Sequence, residues 1–84
     1  MRAAQSGHLL GLLQRNEALR ARGFSLSRTP AGGIVIDRSG HVHGIWDHDG
    51  RCYTWRSLGS SEPLFRTESP NSAVVYTLIA LTRG

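Results

Sequence analysis

Residues 32–55 carry two hairpin signals, and this double hairpin constrains the fold more than any other part of the chain. Three short segments rich in β-branched and aromatic residues are separated by Ser39-Gly40 and by Asp49-Gly50. Glycine-containing pairs of this kind, between β-forming segments, are typical of tight hairpin turns. The stretch therefore predicts a three-stranded antiparallel meander.

The register of the meander decides which side chains share a face, since a slip of one residue exchanges the two faces. A two-residue second turn pairs Trp46 with Tyr53. It also places Gly44 opposite Trp55, where a glycine leaves room for the indole ring. A three-residue first loop at 38–40 keeps the large apolar side chains together, whereas a two-residue turn would separate the isoleucines from the aromatic residues. We therefore predict the three-residue loop. The resulting apolar face contains Ile34, Ile36, Val42, Trp46, Tyr53 and Trp55.

The aromatic residues of this face have two interpretations. An 84-residue chain can bury only one thin core, and Trp46, Tyr53 and Trp55 are the largest side chains available to anchor it. We therefore expect them to be the core. If the face were open, the same three rings would form a platform on which single-stranded bases stack.

The region before the meander predicts a helix. Residues 8–22 have apolar side chains at helical spacing, with Ser6 as a plausible N-cap and Gly23 as a plausible C′ residue. Residues 24–26 are predicted to be a short extended segment that packs back on the core. The leucines that form the apolar side of the helix are Leu9, Leu12, Leu13 and Leu19, with Leu10 at its edge.

The region after the meander is ambiguous between helix and strand. Ser69 followed by Pro70 is typical of an N-cap and a first helical residue, which predicts a helix over 70–82. Many residues in 73–82 are β-formers, so residues 64–67 and 74–82 would alternatively make a second hairpin. We favour the helix. Because it is apolar on nearly every side, we expect it to need cover, which a second copy of the chain in a homo-oligomer would provide.

These elements predict a single α+β domain spanning residues 1–84. It contains an N-terminal helix, a three-stranded antiparallel β-meander and a C-terminal helix, and residues 64–67 would add a fourth, edge strand. The chain has one cysteine, Cys52, so no intramolecular disulfide can form. Together with the lack of a secretory or membrane-spanning pattern, this predicts a cytoplasmic protein that does not act in a membrane.

The net charge of +4 comes entirely from arginine, because the chain contains no lysine. Arginine outperforms lysine in recognising phosphate and carboxylate groups. We expect a small non-enzymatic binding or regulatory protein that acts through an arginine-bearing sheet surface on a protein or nucleic-acid partner. No cofactor or metal is expected. The residues predicted to bind the partner are Arg15, Arg22, Arg38, His41, His43, Arg51 and Arg56.

A second functional class is a small metal-dependent or thiol enzyme. In the predicted register His41 and His43 point the same way along one strand, and Cys52 lies on the same side of the neighbouring strand. Such a set resembles a site for a soft metal ion, although a fourth ligand is missing. This alternative requires the three side chains to converge. A third class is a structural subunit that assembles through residues 73–82.

Overall fold

The computed structural model describes the backbone of residues 2–82 and the side chains of residues 7–82. The five strands form one antiparallel sheet in sequential order. The predicted α+β class and both predicted helical regions are confirmed, but the predicted strand count is too low, because one further strand extends the meander at each of its two edges. The elements are α1 (Arg2–Gln14), α2 (Glu17–Ala21), β1 (Ser25–Arg28), β2 (Ile34–Arg38), β3 (His41–His48), β4 (Tyr53–Arg56), β5 (Phe65–Thr67) and α3 (Pro70–Thr82).

The hairpin between β2 and β3 closes through a two-residue turn, so the predicted three-residue loop is wrong. Arg38 pairs with His41, and both turn residues have positive φ, 54° at Ser39 and 83° at Gly40, as a type I′ turn requires. A β-bulge then leaves His43 without a partner in β2.

The bulge restores the segregation that a two-residue turn alone would destroy. Ile36 pairs with Gly44 and Ile34 with Trp46, so both isoleucines share the face of the aromatic residues. Val42 pairs with Asp37 instead and lies on the opposite face, contrary to the prediction.

The hairpin between β3 and β4 closes through a four-residue loop rather than the predicted two-residue turn. Trp46 pairs with Trp55, and Tyr53 pairs with His48. The register differs from the predicted one by two residues, and an even shift leaves the faces unchanged. Gly44 does not pair with Trp55, yet the Trp55 ring occupies the space where a Gly44 Cβ would stand. The glycine is therefore needed for the reason that the sequence indicates.

The N-terminal helical region is broken where a single helix is predicted. α1 already includes position 6, so Ser6 is not an N-cap, and the helix ends at Gln14. Asn16 caps α2, with its Oδ1 accepting from the Leu19 N–H at 3.2 Å. The predicted role of Gly23 as the C′ residue is confirmed, since its φ is 80° and its N–H donates to the Arg20 carbonyl. The N–H of the next residue, Phe24, donates to the Leu19 carbonyl. This is a Schellman motif.

The C-terminal segment is the predicted helix α3. The Ser69 Oγ accepts from the Ser72 N–H at 3.2 Å, which confirms the N-cap, and Pro70 is the first helical residue. α3 packs against α1 and β5. No helix within residues 2–82 is long and apolar enough to cross a lipid bilayer.

The described helices all contribute to a core on one face of the sheet. Trp46, Tyr53 and Trp55 are at most 3% exposed, so the aromatic residues are core and not an open stacking platform. Burial raises the pKa of Tyr53 above its ordinary value of 10.0. Leu10 and Leu12 are both partly buried, and Leu10 packs against this core. The other buried apolar residues are Leu9, Leu13, Leu19, Phe24, Ile34, Ile36 and Ala73.

Candidate functional site

The open face of the sheet carries arginine, but its charges are balanced. Arg56 and Arg66 stand on this face with Asp37 and Asp47, as their pairing positions show. A binding surface for nucleic acid must offer an excess of positive charge to the phosphates. The open face therefore does not provide the basic stripe that such a partner would need.

Two of the predicted binding arginines already have acidic partners. The Arg56 Nη2 atom lies 2.7 Å from Asp47 Oδ2, in a pair whose side chains are each about one-third exposed. The Arg51 Nε atom lies 3.7 Å from Glu68 Oε2 in a solvent-exposed pair. An exposed pair of this kind contributes little to stability, so Arg51 can exchange its partner, whereas Arg56 is held more firmly.

Two other predicted arginines, Arg15 and Arg22, belong to the N-terminal helical region and do different things there. The Arg15 Nε donates to the Gly11 carbonyl at 3.1 Å, beside the Arg15 backbone N–H that donates to the same carbonyl at 3.2 Å, so this side chain folds back on the end of α1. Arg22 is the exposed C-cap residue of α2.

The remaining predicted residues meet at the β2–β3 hairpin. The Arg38 guanidinium lies 4.9 Å from the centroid of the Phe24 ring, within the range of a cation–π interaction. His43 contacts the same ring edge-on, with 5.2 Å between ring centroids. His41 is the cross-strand partner of Arg38. We call Arg38, His41 and His43, with Phe24 beneath them, the Arg38 cluster.

The Arg38 cluster contains an arginine that an aromatic ring holds in place and that has no acidic partner among the described side chains. Arg38 is exposed and forms no ion pair with any carboxylate among residues 7–82. Its position depends on Phe24, which the sequence did not indicate as part of a site. The Schellman motif that ends α2 places Phe24 here, and Gly23, the residue before Phe24, is the sequence signal for that motif.

The convergence required by the metal or thiol alternative is not observed. The bulge brings His43 against Phe24, on the helix-covered face, and Cys52 lies in the β3–β4 loop instead of on β4. Within residues 7–82 no group of three His, Cys, Asp or Glu side chains is arranged to hold a metal ion. The predicted shared face for His41, His43 and Cys52 is therefore wrong.

A second surface lies where α3 covers the edge of the sheet. Val75 and Ile79, one turn apart on α3, are 55% and 49% exposed, and Leu64 is 61% exposed. The Phe65 and Tyr76 rings stack beside them, with centroids 4.1 Å apart and planes 6° from parallel. We call these five residues the α3–β5 surface.

The α3–β5 surface is concave as well as apolar. A depression of about 350 Å³ is lined by Phe65 of β5 and, on α3, by Asn71, Ser72, Val75, Tyr76 and Ile79. A second depression of about 250 Å³ adjoins it at Leu64 and the C-terminal half of α3. Contiguous exposed apolar surface of this kind marks interaction sites. The sequence indicated residues 73–82 as an assembly surface but not the contribution of Leu64 and Phe65.

Comparison of the chain with protein families, characterised proteins and solved structures finds no match.

Proposed function

We propose that this chain is a small non-enzymatic binding protein, and that the Arg38 cluster contacts an acidic segment of a protein partner. The observation that carries the proposal is the position of Arg38. Its guanidinium is held over the Phe24 ring, is exposed, and has no carboxylate partner among the described side chains. Such an arginine offers its planar set of donors to a partner without first breaking an ion pair.

An aromatic contact preorganises Arg38, whereas Arg51 and Arg56 are held by ion pairs that a partner would have to displace. Immobilising a long side chain on binding costs about 0.5–1.5 kcal/mol. The contact of Arg38 with Phe24 reduces this cost before the partner arrives. His41 and His43 stand beside it and add donors for the same acidic segment.

A protein partner fits the charge distribution better than nucleic acid does. The Arg38 cluster is confined to one end of one hairpin, and the open face of the sheet has as many aspartates as arginines. Proteins that bind nucleic acid commonly neutralise several phosphates along a groove. A compact site built on one guanidinium suits one or two carboxylates. A cytoplasmic location remains part of the proposal, since Cys52 is a free thiol.

The test is binding of a fluorescently labelled glutamate-rich peptide, measured by anisotropy at low and moderate salt. Arg38→Gln removes the charge of the cluster, and Arg51→Gln is the matched control at an arginine of the β3–β4 loop. Because a hydrogen bond to a charged group contributes about 1.5–3 kcal/mol, we expect Arg38→Gln to weaken binding about tenfold or more and Arg51→Gln to change it less than about twofold. Equal losses in the two variants would contradict the site. Tighter binding of a DNA oligonucleotide of equal charge would contradict the choice of partner.

A further inference from the structure

The sheet has an edge at β5 that no described element covers with a strand. β5 pairs with β4 alone, and the Leu64 N–H lengthens this ladder by bonding to the Trp55 carbonyl at 2.7 Å. An edge strand presents backbone donors and acceptors to which another strand can pair. The edge is short, so strand pairing alone would give a weak association.

The helix above this edge is also incomplete on the same side. α3 packs against α1 along one flank, and its Val75 and Ile79 side chains are about half exposed beside β5. From Pro70 to Thr82 the helix has no charged residue. On this side of the molecule the helix therefore has an exposed apolar flank, and the sheet has a strand edge to which no described strand is hydrogen-bonded.

We infer that the α3–β5 surface is the interface of a symmetric homodimer, in which β5 pairs antiparallel with β5 of a second copy. The two-fold axis then stands perpendicular to the sheet, and each α3 lies beside the α3 of the other copy on the same face. An extended peptide would pair with the strand but leave Val75 and Ile79 exposed. A single helix would cover those side chains but leave the strand edge open. A second copy supplies a strand and a helix in one contact.

The charges of the surface agree with this occupant, and its area shows that the helix flank cannot form the contact alone. A flank of a 13-residue helix is about 20 Å long and about 10 Å wide, so its area is about 200 Å². This area is well short of the ~800 Å² that each partner of a stable complex buries. The strand edge must therefore contribute to the contact. A two-fold axis brings identical residues together, and the absence of charge on α3 avoids repulsion between two chains that each carry a net charge of +4.

The charge of Arg66 selects the register of the strand pair. If Arg66 were at the centre, it would face Arg66 of the second copy, and like charges directly opposite are destabilising. Centring the pair on Phe65 avoids this. Leu64 of each copy then stands opposite Arg66 of the other, and the two Phe65 rings meet across the axis under the two α3 helices.

The experiment is mass measurement by light scattering at about 100 μM chain, where a complex with a Kd near 1 μM is almost fully formed. We expect the unmodified chain to have twice its 9.2 kDa mass. Each substitution places two carboxylates in the symmetric interface, so Val75→Asp and Ile79→Asp should each raise the dissociation constant about a thousandfold, to roughly 1 mM, and give close to the single-chain mass at this concentration. Leu58→Asp is the matched control, because Leu58 is 67% exposed but lies outside the α3–β5 surface, and this variant should stay dimeric.

Circular dichroism of each variant shows whether it is folded, since only a folded monomer counts as support. A single-chain mass for the unmodified protein would overturn the inference, and so would a dimer that survives both α3 substitutions. The geometry is tested by Val75→Cys in a Cys52→Ser background, which should form an intermolecular disulfide on mild oxidation where Leu58→Cys does not. Equal cross-linking of the two would overturn the proposed arrangement. These readouts measure the mass and the cross-linking of the chain and not peptide binding; Val75 is the cleaner of the two α3 positions, because Ile79 shares a depression with His43 of the Arg38 cluster.

Discussion

The indole N–H of Trp46 donates a 2.8 Å hydrogen bond to the Oγ1 atom of Thr77, and both residues are at most 1% exposed. The Thr77 hydroxyl in turn donates to the Ala73 carbonyl at 2.7 Å. This chain of two bonds fixes α3 to the middle strand of the sheet. It also explains how a threonine can occupy the most buried side of α3, since its polar atom is fully used.

Thr77→Val should destabilise the fold by about 1–3 kcal/mol, because it keeps the shape of the side chain but leaves the buried Trp46 N–H without an acceptor. Thr82→Val is the matched control. The Thr82 hydroxyl makes a comparable bond to the Leu78 carbonyl at 2.6 Å, but Thr82 is exposed. Urea denaturation followed by tryptophan fluorescence measures both. Equal effects at the two positions would show that the Trp46–Thr77 bond contributes nothing specific.

Gly44→Ala should destabilise the fold by about 1–3 kcal/mol or more, because the new methyl group would overlap the buried Trp55 ring. Gly7→Ala is the matched control, since no atom lies within 4 Å of its added Cβ and the position is inside α1. There the change should stabilise the helix by up to about 1 kcal/mol. Thermal unfolding of the two variants should shift in opposite directions, and a neutral Gly44→Ala would contradict the packing of Trp55.

The β3–β4 loop should lose stability in acid through Asp49. Its Oδ1 accepts from the N–H groups of Cys52 and Arg51 at 2.8 and 2.9 Å, and these bonds lower the pKa of Asp49 below its ordinary value of 3.8. The unfolded chain therefore takes up the proton first as the pH falls. The stabilisation is complete above 3.8 and is lost as the pH falls through the lower, folded pKa.

Asp49→Ala tests this directly. Its unfolding temperature should be lower than that of the unmodified chain at neutral pH, and the difference should shrink as the pH falls below 3.8. Asp37→Ala serves as a control, because Asp37 lies on β2 outside the loop. A difference for Asp49→Ala that stays constant down to strongly acidic pH would mean that the carboxylate does not hold the loop.

Local sequence signals were enough for the elements that depend on local chemistry. Ser69 and Pro70 define the start of α3, Gly23 defines the end of α2, and the glycine-containing turns define the meander. The break in the N-terminal helix was harder to predict from the sequence, because Asn16 lies within the leucine pattern. Its value as an N-cap outweighs the continuity of that pattern.

The features that the sequence did not reveal depend on contacts between distant residues. The bulge at His43 forms because the tight turn at Ser39 and Gly40 would otherwise place Ile34 and Ile36 away from the aromatic core. No local pattern encodes that conflict. The placement of Arg38 follows from the same hairpin and from Phe24, so the sequence offered Arg38, His41 and His43 only as separate members of a larger set and not as a cluster.

The Arg38 cluster is the proposed binding site, and its most direct test is an NMR titration of the ¹⁵N-labelled protein with the glutamate-rich peptide. We expect the largest shift changes at the Arg38 Nε–H and at the backbone amides of Phe24, His41 and His43. The same titration of Arg38→Gln should lose them. Changes centred on Arg51 and Arg66, or none at concentrations that saturate the anisotropy signal, would contradict the proposed function.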